Sequence, residues 1–215
     1  MVKIIKINPE HLDIEKIKEI GKQLRSGKIV VFPTDTVYGI GCDAYNIEAI
    51  KKIYKIKNRK MNKGMPVLIS SIDKLHNFVI TNETADILIQ KFWPGQLTII
   101  LPKVVKAPEI LTGGSSSIAV RQPNNPITIS IAKEVECGGI VGTSANLSGN
   151  KEPITIKEAI NQLGDEVDIY IDGGTSHKKI PSTIIDLTSK PLKLIRKGPI
   201  SFEDIKDTIK NELDQ

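Results

Sequence analysis

Aromatic residues make up only 4% of this 215-residue chain, there are two cysteines and three histidines, and no apolar run nears bilayer-spanning length. Each scarcity excludes something. A membrane-spanning helix needs about 20 consecutive apolar residues. Two cysteines, Cys42 and Cys137, far apart in sequence, form no metal-type pair and no disulfide framework. Reduced thiols imply a cytoplasmic protein. His11, His76 and His177 stand in unrelated contexts, which supports neither a histidine metal centre nor a Ser-His-Asp triad. There is no G-x-x-x-x-G-K-[ST] loop, no G-x-G-x-x-G fingerprint and no G-x-S-x-G elbow. An enzyme built from this chain therefore works by positioning and electrostatics, without a protein nucleophile.

What is present is a soluble composition, 40% hydrophobic and 26% charged, with 30 Lys and Arg against 25 Asp and Glu. The net charge of +5 suits nucleotides or nucleic acid without demanding either. Strand-like and helix-like segments alternate. Strands are predicted at 2–7, 28–32, 66–69, 97–101, 118–121, 140–143, 169–171, 182–187 and 192–196. Helices are predicted at 13–26, 47–56, 82–92, 126–136, 155–163 and 201–213. Asn46 is placed to cap the second helix, and Thr155 or Pro153 to open the fifth. The alternation predicts an α/β fold, one domain over residues 1–215, with a twisted sheet flanked by helices. Crowded late strands add antiparallel pairs to that sheet.

Two polar segments follow apolar strands, where open α/β sheets bind ligands, and a third feeds into one. The first is Pro33 to Gly41, where Thr34, Thr36 and Tyr38 are expected to alternate along one face. Gly39 and Gly41 would leave the backbone open to a ligand. A second segment, Ser115-Ser116-Ser117, leads through Ile118-Ala119-Val120 to Arg121, an arginine that needs a carboxylate, a phosphate or water as partner. The third, Val141 to Gly149, offers Thr143, Ser144, Asn146 and Ser148; a helix cap or turn would use the same residues. Between Lys55 and Lys63 five cations stand without an acid. That stretch reads as a phosphate clamp or as the solvated end of a helix.

In their order these pieces resemble the YrdC/Sua5 family of threonylcarbamoyl-AMP synthases. The signatures are PTDTVYGIG (33–41), KNR (57–59), FWPGQLTIIL (92–101), IAVRQPNNP (118–126), TSANLSG (143–149), STIIDLT (182–188) and IRKGPIS (195–201). The resemblance implies a mixed parallel and antiparallel sheet beside a large concave basic groove. It also implies the reaction of L-threonine, bicarbonate (or CO₂) and ATP, with Mg²⁺, to L-threonylcarbamoyl-AMP and pyrophosphate. The product would pass to a separate transferase that modifies tRNA. Matched by motif, Lys57, Arg59, Ser144 and Asn146 correspond to the family's active-site tetrad. Thr36, Tyr38, Arg121, Ser144 and Ser182 correspond to threonine positions. Arg59, Lys63, Ser117, Asn146 and Arg196 correspond to ATP positions, and no dedicated protein metal ligands are implied. The family's usual proline after the KNR arginine is Lys60 here, its Pro-Leu is Gly64-Met65, and Leu68 replaces a histidine. The histidine belongs to the longer members, so Leu68 places the chain nearer the short ones, and the single helix expected after IRKGPIS implies no additional C-terminal domain. Two rival readings are a groove for tRNA or double-stranded RNA, and carbamoyl transfer from carbamoyl phosphate.

Overall fold

Short β-branched runs bounded by glycine, proline and polar residues become strands of two to six residues. The computed structural model describes residues 2–176 and 180–213; His177 lies outside them. In chain order the elements are β1 (Ile4–Lys6), α1 (Ile14–Arg25), β2 (Val30–Phe32), β3 (Gly39–Gly41), α2 (Ile47–Ile56), β4 (Val67–Ile69), α3 (Glu83–Phe92), β5 (Leu97–Pro102), α4 (Glu109–Thr112), β6 (Ser117–Arg121), α5 (Pro126–Lys133), β7 (Gly139–Val141), β8 (Thr143–Ser144), α6 (Ile156–Leu163), β9 (Ile169–Asp172), β10 (Thr183–Asp186), β11 (Lys193–Arg196) and α7 (Phe202–Leu213). Two 3₁₀ turns, at Ile72–Asn77 and Gly164–Glu166, complete the set.

The six predicted helices are all present, because each combines an apolar stripe with a capping side chain or charge. Asp13 accepts a hydrogen bond from Lys16 N, Asn46 from Ala49 N, Asn82 from Ala85 N and Asn125 from Thr128 N, at 2.9–3.1 Å. Thr155 caps α6 at 3.2 Å and is the opening residue, rather than Pro153. α5 stops at Lys133, three residues short of the predicted end.

Where the sequence predicts one sheet, the structure has two. The first runs β1-β9-β2-β3-β8 and the second β11-β10-β5-β6-β4-β7. Both are mixed. β1 and β2 run parallel to β9, β10 parallel to β5, and β4 parallel to β6, with the other pairs antiparallel. The predicted strand 140–143 is the reason for the division. It breaks at Gly142, so β7 belongs to the second sheet and β8 to the first. A Cβ at Gly142 would lie 2.2 Å from Leu68 Cγ, and one at Gly41 would lie 1.9 Å from the Val141 carbonyl oxygen. Glycine thus permits the crossing and the close approach of the two sheets.

Residues of the second sheet alternate between a core face and a cleft face. Leu97, Ile99, Leu101, Ile118, Val120 and Ile185 are buried on the core face. Each such side chain contributes about 1.5–3 kcal/mol through burial. Among the described residues no helix is long and apolar enough to cross a membrane.

Candidate active site

The other face of the second sheet is the floor of a cleft of about 700 Å³, formed by Leu68, Thr98, Ile100, Ala119, Arg121 and Ile184. Three segments rise around it: Thr34–Gly39 after β2, Lys57–Gly64 after α2, and Gly142–Glu152 after β7. Six cations line it, Lys57, Arg59, Lys60, Lys63, Arg121 and Arg196, against one described acid, Glu152.

Helix α2 ends through Asn58, whose φ of 49° is left-handed, with Arg59 N donating to Tyr54 O at 2.9 Å. This turn reverses the chain and separates Lys57 from Arg59 in direction. Lys57 is 1% exposed, contrary to the exposed cluster that the charge run suggests. Its Nζ donates to the carbonyls of Ser144 and Asn146, the latter at 2.6 Å, and lies 3.5 Å from Asn146 Oδ1. Burial, reinforced by Arg59, pushes the ammonium down to about 7, with Glu152 opposing the shift. Arg59 arches over its own loop, donating to Lys63 O at 3.1 Å and Gly64 O at 2.6 Å. Asn146 is fixed by donation from Nδ2 to Leu147 O and Asn150 O at 3.0 and 2.7 Å. Ser144 lines the cleft with its hydroxyl unbonded among the described residues.

The segment after β2 is a bend instead of the extended face expected for it. Thr34 Oγ1 donates to Val37 O at 2.6 Å and accepts from Thr36 N at 3.1 Å, closing a turn. Thr36 Oγ1 accepts from Arg121 Nη1 at 3.1 Å. Tyr38 is directed away: its fully buried ring lines the wall, while its hydroxyl donates to Gly174 O at 2.6 Å. Burial, with help from the nearby Asp172 charge, raises that phenol to about 12. Gly41 serves the contact with Val141 and does not line the cleft; Gly39 does.

Arg121 is 4% exposed and nearly spoken for. Nε donates to Gly95 O at 2.7 Å, Nη1 to Thr36 Oγ1, and Nη2 to Asp35 Oδ1 at 2.6 Å. Arginine has five N–H groups, so two remain, one on each terminal nitrogen. Ser182 is pinned between Thr98 Oγ1 at 2.7 Å and Arg196, which donates to both its hydroxyl and its carbonyl at 3.0 and 2.9 Å. Lys63 lines the cleft as an exposed cation.

Ten of the eleven residues singled out in the sequence thus meet in one cleft. The exception is Ser117, which opens β6 outside the lining and hydrogen-bonds at its backbone N to Ser115 Oγ at 3.2 Å. Two acids go unremarked in the sequence. Asp35 lies within a recognised motif but reads as a turn residue until its contact with Arg121 is seen. Glu152 follows the hydroxyl-rich segment with nothing to mark it.

The Sua5/YciO/YrdC family model, which carries the description "Telomere recombination", matches residues 22–198. The chain belongs to this family. It is 35% identical over 203 residues to the threonylcarbamoyl-AMP synthase of Pyrococcus abyssi, covering 93% of this chain but 59% of that protein. With the threonylcarbamoyl-AMP synthase of Vibrio vulnificus it shares 30% over 188 residues, covering 86% of this chain and 100% of that one. Among solved structures, P. abyssi Sua5 complexed with L-threonine superposes with a TM-score of 0.92 at 35% identity, covering 96% of this chain and 60% of that one. E. coli YciO superposes at 0.87 and 25% identity, covering 95% and 100%.

Proposed function

We propose that this protein is an L-threonylcarbamoyladenylate synthase, acting in the cytoplasm as one YrdC-like domain. L-threonine, bicarbonate and ATP would give L-threonylcarbamoyl-AMP and pyrophosphate, the adenylate passing to a transferase that modifies tRNA. The observation that carries the reading is a single cleft with two chemically unlike ends. One end has Lys57, Arg59, Lys60 and Lys63 with no carboxylate within ion-pair distance among the described residues. The other has Arg121, Thr36 and Ser182, a fork and two hydroxyls. Triphosphate suits the first, and an amino acid bearing a carboxylate and a hydroxyl suits the second.

The amine of threonine adds to CO₂ with loss of a proton, or to bicarbonate with loss of water, and the new carbamate oxygen attacks the α-phosphorus of ATP as pyrophosphate leaves. Nucleophile and electrophile are both anionic, so cations must offset their repulsion. Arg59, Lys60 and Lys63 hold the phosphates from the loop, with Arg196 contributing from beside Ser182. Lys57, donating to the two carbonyls and lying 3.5 Å from Asn146 Oδ1, holds Ser144 and Asn146 in position against the reacting groups. Charge-assisted hydrogen bonds of this kind contribute roughly 1.5–3 kcal/mol each. Threonine is oriented by the two free N–H groups of Arg121 and by Thr36 and Ser182, with Tyr38 as a wall. Ser117 would reach the nucleotide only from beyond the cleft edge. Among the described residues no group of three or more acids, histidines and cysteines gathers to hold a metal. Mg²⁺ would enter as a companion of ATP and would supply charge neutralisation, with Glu152 the one carboxylate lining the cleft among the described residues.

The deciding experiment is pyrophosphate release from ATP. Release that requires both threonine and bicarbonate supports the synthase; release without threonine, or none at all, overturns it. RNA retained by the protein in the absence of such turnover would favour a nucleic-acid role for the groove.

A further inference from the structure

Five of the six cations lining the cleft have no carboxylate within ion-pair distance among the described residues. Lys57, Arg59 and Arg196 donate to carbonyl or hydroxyl oxygens, and Lys60 and Lys63 reach solvent without an ion pair among the described residues. Among the described residues Arg121 alone of the six has a carboxylate partner, Asp35, at 2.6 Å, with the two side chains 5% and 11% exposed. Asp35 does not line this cleft. It stands behind Arg121, bordering a second cavity of about 530 Å³, and its backbone carbonyl is held by Gln96 Nε2 at 3.0 Å. Its other carboxylate oxygen, Oδ2, is buried with no hydrogen-bond partner among the described residues. Among the described residues the Asp35 charge is therefore matched by Arg121 and by no second donor.

We infer that Asp35 is a specificity-determining residue: by cancelling the charge of Arg121 from behind, it makes that end of the cleft a carboxylate site and not a phosphate site. The inference rests on the reading of Arg121 as the threonine anchor. The arginine–aspartate pair, with two N–H groups to spare, offers directional hydrogen bonds but little net potential of its own, and the cation left at that end is Arg196, which is engaged by the hydroxyl and carbonyl of Ser182. A monoanionic carboxylate on a zwitterion needs only the fork. Phosphate and pyrophosphate carry more charge and are drawn to uncompensated cations. They are present in the same cleft, as substrate tail and as product, so the two ends must be told apart. Binding an anion at the wrong end is disfavoured by the buried Asp35 carboxylate facing it across Arg121, a repulsive element of the kind that specificity requires.

The experiment is calorimetric titration of L-threonine into the full chain, with and without inorganic phosphate or pyrophosphate, for wild type, Asp35→Asn, Asp35→Glu and Arg121→Lys. In wild type, phosphate leaves the threonine affinity unchanged. In Asp35→Asn, which keeps the shape but removes the charge, phosphate competes with threonine and weakens its apparent affinity by about tenfold or more, the size of one modest charge interaction. Asp35→Glu restores the wild-type pattern. Arg121→Lys loses threonine affinity without acquiring phosphate competition. A merely structural role for Asp35 would lower the melting temperature of Asp35→Asn with no phosphate competition, and that result overturns the inference. Competition by phosphate in wild type also overturns it, and this measurement stands even if Asp35→Asn does not hold its fold by circular dichroism. Absence of threonine binding in wild type, or unchanged binding in Arg121→Lys, instead sinks the reading of Arg121, and the inference with it.

Discussion

Replacing Lys57 by methionine separates what this buried ammonium does for binding from what it does for folding. In the free protein its pKa lies at about 7, against 10.5 for an ordinary lysine. At pH 8 it is thus only about one-tenth protonated. An ATP triphosphate beside it restores the charged form. If the bound value returns to 10 or above, binding takes up about 0.9 proton at pH 8, about 0.5 at pH 7 and about 0.1 at pH 6. Titration with a non-hydrolysable ATP analogue in buffers of different ionisation enthalpy reads this number directly. Lys57→Met supplies the baseline, including the nucleotide's own titration. The same shift governs stability. Because the folded pKa is depressed, the unfolded chain binds the extra proton between about 7 and 10.5, so folding strengthens as pH rises through that window. A shift of about 3.5 units corresponds to roughly 5 kcal/mol, fully lost below pH 7 and regained by pH 10.5. Wild type should therefore gain thermal stability from pH 7 to 10 relative to Lys57→Met. Equal proton uptake and parallel stability profiles in the two proteins would mean that the Ser144 and Asn146 carbonyls keep Lys57 charged throughout, and the argument from burial fails.

Lys57→Ala and Arg59→Ala should each reduce pyrophosphate release at least about tenfold, one lost charge-assisted contact. They should part in thermal melts: Lys57→Ala strands two carbonyls and shifts the midpoint, whereas Arg59→Ala releases only the 60–64 loop. Serine should replace threonine with a loss of roughly 10- to 200-fold, one methyl, and valine with a much larger loss, because it lacks the hydroxyl that would hydrogen-bond at Thr36 and Ser182; equal turnover with valine and serine removes hydroxyl recognition from the account. Gly142→Ala should destabilise the protein by about 1–3 kcal/mol through overpacking against Leu68, and Leu68→Ala in the same chain should recover part of it in chemical denaturation. Additive losses in that pair would show that the crossing at Gly142 is not limited by Leu68.

Much of the architecture could be read from local signals. α2 has its cap at Asn46, its apolar stripe and its basic last turn in sequence order, and it forms over the predicted span. β3 could not be read, because Gly39-Ile40-Gly41 has the composition of a loop and becomes a strand only between Phe32 and Ser144. The cleft residues were legible as motifs, but not their states. Nothing local distinguishes Lys57 from Lys55, although one is buried and the other exposed. That difference depends on carbonyls 87 and 89 residues away. Arg121 was open to either a ligand or a structural ion pair, and geometry gives it an acid partner together with two N–H groups left over.

The break at Gly142 connects these observations. Because β7 and β8 are one run divided between two sheets, the residues just beyond it, Ser144 to Asn146, leave the first sheet at the wall of the cleft. Their carbonyls face inward and need donors, since a buried unpaired carbonyl costs about 1–3 kcal/mol. Lys57, delivered by the end of α2, provides them. A lysine buried for that purpose is desolvated, and its proton becomes sensitive to whatever anion enters. The same crossing that divides the sheet therefore builds the wall, requires the lysine and tunes it. This is why a triphosphate arriving there should be met by a proton as well as by a charge.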